Sequence, residues 1–135
     1  MIHVRYSNAL SPAAPFVKVL LRHDARPAPT VALDAQLDTG ADRTVIPFSA
    51  AAKLGLEEIG ELDFGGIGDI VRMPIYLVTV QIPGVMDFTI EAAASDDEPR
   101  VLLGRDVLNC LYATLSGPTR FLELSDQPLP TPATP

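Results

Sequence analysis

An aspartate at the end of an apolar strand pattern is the residue of this 135-residue chain best placed to do chemistry. Residues 37–47 read LDTGADRTVIP, so Asp38 is followed directly by Thr39 and Gly40. A carboxylate held in a tight loop can act as a general acid or base, and a glycine beside it lets backbone approach a ligand closely. The triplet is also ordinary turn chemistry, because Asp and Thr bond to nearby backbone groups and Gly accepts positive φ. Its interpretation therefore depends on the motifs that accompany it.

Two further motifs follow the Asp38 loop along the chain. Residues 64–70, FGGIGDI, form a glycine-rich tip between two apolar runs that predict strands. Residues 101–108, VLLGRDVL, pass from an apolar strand pattern through Gly104 into a short helical pattern. In this order the three motifs resemble those of the retropepsins, the retroviral and retroviral-like aspartic proteases. The resemblance covers the chain from about residue 16 to residue 124.

The resemblance implies a role for each motif. Asp38 would be the catalytic carboxylate, Thr39 and Gly40 would hold its loop, and residues 64–70 would be the flap that closes on substrate. Asp42 would cap the substrate site, and Arg105 would form an ion pair with it that braces a dimer. The other positions implied in substrate binding, in the flap or in the dimer structure are Ala41, Val45, Gly65, Gly66, Ile67, Arg100, Leu102 and Gly104. The alternative interpretations are two unrelated surface charges at residues 42 and 105, and a merely flexible hairpin tip at the glycines.

The length of the chain limits how such a site can be built. Its 135 residues suffice for one domain with one core and are too few for two. Aspartic proteolysis needs two carboxylates that face one water, and the chain contains a single Asp-Thr-Gly. The resemblance therefore implies a homodimer with the two copies of Asp38 at its two-fold axis. The two carboxyl groups would share one proton and titrate as a pair.

The elements that must position these motifs are mostly strands. Thr30 to Leu37 alternates between apolar and polar residues, which predicts a half-buried strand that ends at Asp38. Ser49 to Leu54 is alanine-rich and is followed by Gly55, a pattern typical of a short helix with a left-handed cap. A second short helix is predicted after Gly104. Further strands are predicted at 16–21, 72–82, 85–92 (with Met86, Phe88, Ile90 and Ala92 inward), 111–115 and 120–124.

These elements predict an all-β fold, a closed and partly barrel-like sheet with one or two short helices, which is also the form of the retropepsin fold. Such a single domain would supply half of an active site. The hairpin over 111–124 and the helix near 49–54 resemble cellular and bacterial retropepsin-like proteins more than viral ones, and we expect the terminal hairpins of two chains to interleave. The domain is expected at 1–125, and the proline-rich residues 126–135 are expected to be a disordered tail.

Composition argues against several other classes of protein. The net charge of −7 opposes a nucleic-acid partner, which would need a basic face. The single cysteine, Cys110, rules out an internal disulfide and lies in an apolar run that predicts a core position. His3 and His23 lack zinc-ligand spacing, so neither a metal nor a cofactor is expected. The sequence shows no signal peptide and no apolar run of membrane-spanning length, so a cytoplasmic protein without a membrane partner is expected.

Two functions from different classes follow from these observations. The first is an aspartic endopeptidase that hydrolyses peptide or protein substrates. The second is a catalytically silent module that keeps the retropepsin fold for dimerisation or peptide binding. Asn or Ser at position 38 would favour the second; the intact Asp38-Thr39-Gly40 favours the enzyme.

Overall fold

The computed structural model describes residues 1–65 and 68–128. Within these residues the chain is mainly β, with two short helices. In chain order the elements are β1 (Ile2–Arg5), β2 (Phe16–Arg22), β3 (Thr30–Leu37), β4 (Val45–Pro47), α1 (Phe48–Leu54), β5 (Glu58–Gly65), β6 (Ile70–Ile82), β7 (Met86–Ser95), β8 (Val101–Leu103), α2 (Arg105–Leu108), β9 (Tyr112–Ser116) and β10 (Phe121–Ser125). The prediction of an all-β fold is confirmed. Most of the proposed tail, residues 129–135, lies outside the described residues.

A closed barrel forms the body of the molecule. Its strands follow the order β2-β3-β8-β4-β7-β6, and β6 also pairs with β2, which closes the ring. Among the strands of the described residues β5 pairs only with β6, so the two form a hairpin that extends from the barrel. The barrel wall is mixed, because β3 runs parallel to β8 and β4 runs parallel to β7. The predicted closed barrel is thereby confirmed.

Alternating apolar side chains fill the barrel. In β2 the side chains of Val17, Val19 and Leu21 are buried, and in β6 the strand's last third is almost continuously buried. Burial of a side chain of this size contributes roughly 1.5–3 kcal/mol, so the barrel provides most of the stabilising energy. The helix α1 packs Ala50, Ala51 and Leu54 against it and ends at a left-handed Gly55. That helix confirms the prediction made from the alanine-rich run.

The chain ends form a separate three-stranded sheet in the order β1-β10-β9. On its inner face Leu122 and Leu124 are fully buried against the barrel. The strand β9 is an edge strand that pairs, within the described residues, only with β10. Its Tyr112 and Leu115 side chains are 48% and 52% exposed. The predicted terminal hairpin is present, with one long edge uncovered in the single protomer.

Two core predictions are wrong. Met86 was expected to face inward with Phe88, but it pairs with Ile82 at the turn end of the β6–β7 hairpin and is 38% exposed. Cys110 was expected in the core, and it is exposed because it follows the four-residue α2. Its sulfur lies 3.7 Å from the Asp106 carbonyl oxygen. No helix in the part of the chain described here is long and apolar enough to cross a membrane.

Candidate active site

The Asp38 side chain stands at the carboxyl end of β3 and is half-buried. Its backbone N–H donates a hydrogen bond to the carbonyl oxygen of Leu103, 2.9 Å away in β8. Its carboxylate Oδ1 accepts a hydrogen bond from the Gly40 N–H at 3.0 Å. This last bond is the local turn chemistry expected of an Asp-x-Gly sequence. The same bond also orients the carboxylate. The geometry therefore fits both an ordinary turn and a catalytic loop.

A second segment, the start of α2, binds the loop from the other side. The Arg105 N–H donates to the carbonyl oxygen of Ala41 at 2.8 Å, and Arg105 Nη1 donates to the carbonyl oxygen of Thr39 at 2.8 Å. Within one protomer no salt bridge joins Arg105 to Asp42 in residues 1–65 and 68–128, and the expected ion pair stays a prediction for the dimer. The guanidinium instead holds the Asp38 loop through a backbone carbonyl. Arg105 therefore braces the loop within one chain.

A buried hydroxyl ties the same two segments together. The Thr44 side chain is fully buried; its hydroxyl donates to Asp106 Oδ1 at 2.7 Å and accepts from the Gly104 N–H at 3.1 Å. The Thr44 N–H donates to Asp106 Oδ2 at 3.0 Å. Every polar atom of this cluster is satisfied, as buried polar groups must be. No sequence pattern singles out Thr44 or Asp106, since Thr44 stands between Arg43 and the apolar Val45.

Gly104 lets these segments approach each other. A Cβ atom at this position would lie 2.6 Å from the Arg43 carbonyl carbon, 2.8 Å from its oxygen and 2.9 Å from the Thr44 nitrogen. The φ of Gly104 is −86°, a value open to any residue. Space, rather than backbone conformation, is therefore the reason for a glycine here.

The β5–β6 hairpin and the Asp38 loop enclose a cleft of about 640 Å³. In the hairpin Leu62 pairs with Met73 and Phe64 with Val71, so these four apolar side chains share one face and line the cleft. We call this face the roof. The polar lining residues outside the hairpin come from the end of the Asp38 loop and from the β7–β8 connection: Asp42, Arg43, Ser95 and Asp97. The hairpin side also contributes Asp63 and Asp69, so an apolar roof is bordered by polar and charged residues.

The cleft contains some of the predicted site residues. Asp42 and Gly65 line it. The Asp38-Thr39-Gly40 triplet lies in the adjoining loop, with Thr39 and Gly40 exposed, and does not line the cleft of the single protomer. The predicted flap residues Gly66 and Ile67 lie outside the described residues, although the two strands that lead to them are paired as far as Gly65 and Ile70.

Other predicted substrate-binding residues lie in the barrel wall. Val45 of β4 pairs with Leu102 of β8. Arg100 lies over the ring of Phe16, with its Cζ 5.2 Å from the ring centroid, and its Nε is 3.9 Å from Glu98. None of these three predicted residues lines the described cleft of the protomer. Their roles as subsite walls stay predictions for an assembled site.

The hairpin's ion pairs lie on the face opposite the roof. Arg72 Nε donates to Asp63 Oδ1 at 3.0 Å, and its Nη1 lies 3.6 Å from Glu61. The hydrogen bond and charge of Asp63, aided by Glu61, raise the pKa of Arg72. At the base of the hairpin, burial raises the pKa of the Tyr76 phenol, and the nearby negative charge of Glu58 raises it further. The residues described contain no group of three or more His, Cys, Asp or Glu that could hold a metal ion.

Several solved structures share this fold. The EIAV protease in complex with the inhibitor HBY-793 is 26% identical, with a TM-score of 0.56 over 78% of this chain and 92% of that one. A retropepsin-like aspartic protease from Rickettsia conorii is 17% identical, with a TM-score of 0.63 over 91% and 88%. The simian foamy virus (mac) protease is 18% identical, with a TM-score of 0.53 over 70% and 92%. No protein-family model matches the sequence, and no curated protein does.

The chain therefore has the retropepsin-like fold, and the resemblance inferred from its three motifs is confirmed. Of these structures, the bacterial one covers more of the chain at a higher TM-score than either viral one, as the terminal hairpin and α1 had suggested. The EIAV protease has the higher sequence identity.

Proposed function

We propose that the protein is an aspartic endopeptidase that hydrolyses peptide bonds as a homodimer. The observation that carries the proposal is the Asp38-Thr39-Gly40 loop, braced by Arg105 beside a hairpin-covered cleft in a retropepsin-like fold. One chain provides one such loop. A second copy would provide the second carboxylate and complete the site.

The chemistry follows from the coupling of two carboxyl groups. Because two nearby carboxylates cannot both ionise easily, the pair of Asp38 side chains would hold one proton between them. The ionised member takes a proton from the bound water while the protonated member polarises the scissile carbonyl. The water oxygen then bonds to the carbonyl carbon, and the tetrahedral intermediate collapses as a proton passes to the leaving nitrogen. No covalent acyl-enzyme forms in this sequence.

The β5–β6 hairpin would serve as the flap. It extends from the barrel over the cleft, and its strands are exposed along most of their length. An extended peptide between the hairpin and the Asp38 loop could add backbone hydrogen bonds as an extra strand does. Closure of the hairpin would exclude water from the reacting groups.

Peptide-library cleavage followed by mass spectrometry tests the enzymatic proposal. Wild type is expected to cut defined sites between acid and neutral pH, and Asp38→Asn is expected to lose those cuts to background. Asp34→Asn, an exposed β3 residue paired with Lys18, makes the same change of charge and is expected to keep them. A dimeric wild type with no cuts at any pH would instead favour the silent dimerisation or peptide-binding module.

The dimer is tested at β9, whose free edge and exposed Leu115 support it as the contact between copies. Deletion of residues 120–124 is unsuitable, because Leu122 and Leu124 are fully buried in the protomer. Leu115→Glu is expected to give an inactive monomer in analytical ultracentrifugation at micromolar concentration, since two acidic groups would meet near the symmetry axis. Met86→Glu, at the exposed β6–β7 turn, is the control that stays dimeric. An active dimer of Leu115→Glu would place the interface elsewhere.

A further inference from the structure

The charges that line the cleft are unevenly matched. Its lining contains one cation, Arg43, whose Nη1 already donates to the Glu91 carbonyl oxygen at 2.7 Å and lies 3.8 Å from the Glu91 carboxylate. Four aspartates line the same cleft: Asp63, which is paired with Arg72, and the exposed Asp42, Asp69 and Asp97. Among the residues the structure describes, none of the last three has a salt-bridge partner. The polar side of the cleft therefore has a negative excess.

The roof restricts which ligand could use that negative charge. Leu62, Phe64, Val71 and Met73 present apolar surface along the hairpin, opposite Asp42 and Asp97. A small hydrated cation would gain nothing from this surface. A lysine or arginine side chain fits both walls, because it combines an apolar stem of several methylenes with a charged end.

Resting on the proposed endopeptidase function, we propose that this cleft selects peptides with a lysine or arginine near the scissile bond. The aliphatic stem of that residue lies against the roof, and its cationic end lies near Asp42 and Asp97. Asp97 is the specificity-determining side chain, since Asp42 belongs to the loop that carries the proposed catalytic aspartate and Asp69 lies next to β6 of the proposed flap. The chain's net charge of −7 adds a long-range attraction for basic substrates.

Matched peptide substrates test the inference. A peptide cut by wild type is remade with lysine, norleucine or glutamate at each of the positions flanking the cut, and kcat/KM is measured for each. At one or more positions lysine is expected to exceed norleucine by roughly twofold to fivefold, the range expected for partly solvated charge pairs. Glutamate is expected to be the poorest, and raised salt should reduce the preference, because the charges are solvent-accessible.

Variants of the β7–β8 connection identify the residue responsible. Asp97→Asn is expected to lower the lysine-to-norleucine ratio toward one, and Asp97→Lys is expected to favour glutamate over lysine. Asp96→Asn is the matched control, because Asp96 is an exposed neighbour with the same charge that does not line the cleft. This control should keep the lysine preference.

A binding measurement separates this inference from the proposed function. Fluorescence anisotropy with Asp38→Asn compares two labelled peptide libraries that differ only in lysine or norleucine at one fixed position, each measured with and without the additional Asp97→Asn substitution. A wild type that cuts nothing, together with Asp97-dependent lysine binding in Asp38→Asn, would refute the enzyme and support the cationic subsite. Cleavage without any lysine preference, or with a preference that Asp97→Asn and Asp96→Asn leave equally intact, would overturn the subsite and leave the enzyme standing.

Discussion

The Asp38 loop and the β5–β6 hairpin face the same cleft but are held in opposite ways. The loop donates a hydrogen bond to β8 and accepts two from Arg105 of α2, and the adjoining Thr44 is fully buried with all its polar atoms paired. In the hairpin, β5 and residues 70–74 of β6 are mostly exposed. The ion pairs of Arg72 with Asp63 and Glu61 lie on the hairpin face opposite the roof.

The difference separates two tasks that a peptide-cleaving site must combine. The carboxylate must keep its orientation, which requires many satisfied contacts around its loop. The cover over the cleft must open for a peptide to enter, which requires that local opening cost little compared with global unfolding. We therefore expect substitutions in the loop to lower global stability and substitutions in the hairpin to change local opening alone.

The largest effect is expected at Gly104. In Gly104→Ala the new methyl group would meet Arg43 and Thr44 backbone atoms at less than 3.0 Å, so one segment must move. We expect a loss of about 3 kcal/mol in the free energy of unfolding, measured by urea denaturation at matched protein concentrations. In the hairpin, Gly60→Ala adds a methyl group with nothing within 4 Å and should change stability by less than about 0.5 kcal/mol. Equal losses in the two variants would contradict the comparison.

A smaller loss is expected from Thr44→Val. The variant keeps the shape of the side chain but leaves the buried Gly104 N–H without its acceptor and removes a donor to Asp106. We expect a loss of about 2 kcal/mol in the free energy of unfolding, measured as above. Thr30→Val, at the exposed start of β3, is the control and should be nearly neutral. A neutral Thr44→Val would mean that the two segments do not depend on this hydroxyl.

Tyr76 lies where the hairpin joins the barrel. Ionisation of its phenol is expected to change the free energy of unfolding only at alkaline pH. Burial raises the pKa of the Tyr76 phenol in the folded protein, with help from Glu58. The unfolded chain therefore loses this proton first as the pH rises, and stability falls above about pH 10, the ordinary tyrosine value. Urea denaturation at pH 8 to 11 should show a shallower alkaline decline in Tyr76→Phe than in wild type. Parallel declines would show that this phenol does not contribute.

The smallest effect on stability is expected from Arg72→Gln. Arg72 is fully solvated, so loss of its pairs with Asp63 and Glu61 should leave the urea midpoint unchanged within error. Amide hydrogen exchange should become faster in β5 and the first part of β6 and stay unchanged in the Asp38 loop. A lowered urea midpoint would show that the hairpin unfolds together with the barrel rather than opening locally, and would contradict the comparison.

Features predicted correctly from the sequence are those encoded locally. The alternation over Thr30 to Leu37 gave the bounds of β3, and so the position of Asp38, because a period of two reflects one buried face. The helix before Gly55 follows from alanine propensity and a left-handed cap within a single turn. The barrel was predicted from the number of short strands and from the motif resemblance.

Features that were missed depend on partners distant in sequence. Thr44 and Asp106 are 62 residues apart, and Arg105 could satisfy its guanidinium with either Asp42 or the Thr39 carbonyl. The sequence does not show whether the Arg105 guanidinium pairs with a carboxylate or with a backbone carbonyl when both acceptors are within its reach. Cys110 was misplaced because an apolar run was taken as buried throughout, whereas α2 ends at Leu108 and the chain then turns outward.

The exposed edge of β9 also has a consequence for solubility. The strand reads YATLS, with neither a charged residue nor a proline, and these are the devices by which edge strands usually resist pairing with other chains. A protomer with this edge uncovered would recruit any extended segment, including one from an unfolded copy. Pairing of two folded copies along β9 would remove that hazard, so we expect dilution below the dimer's dissociation constant to promote slow aggregation as well as loss of activity.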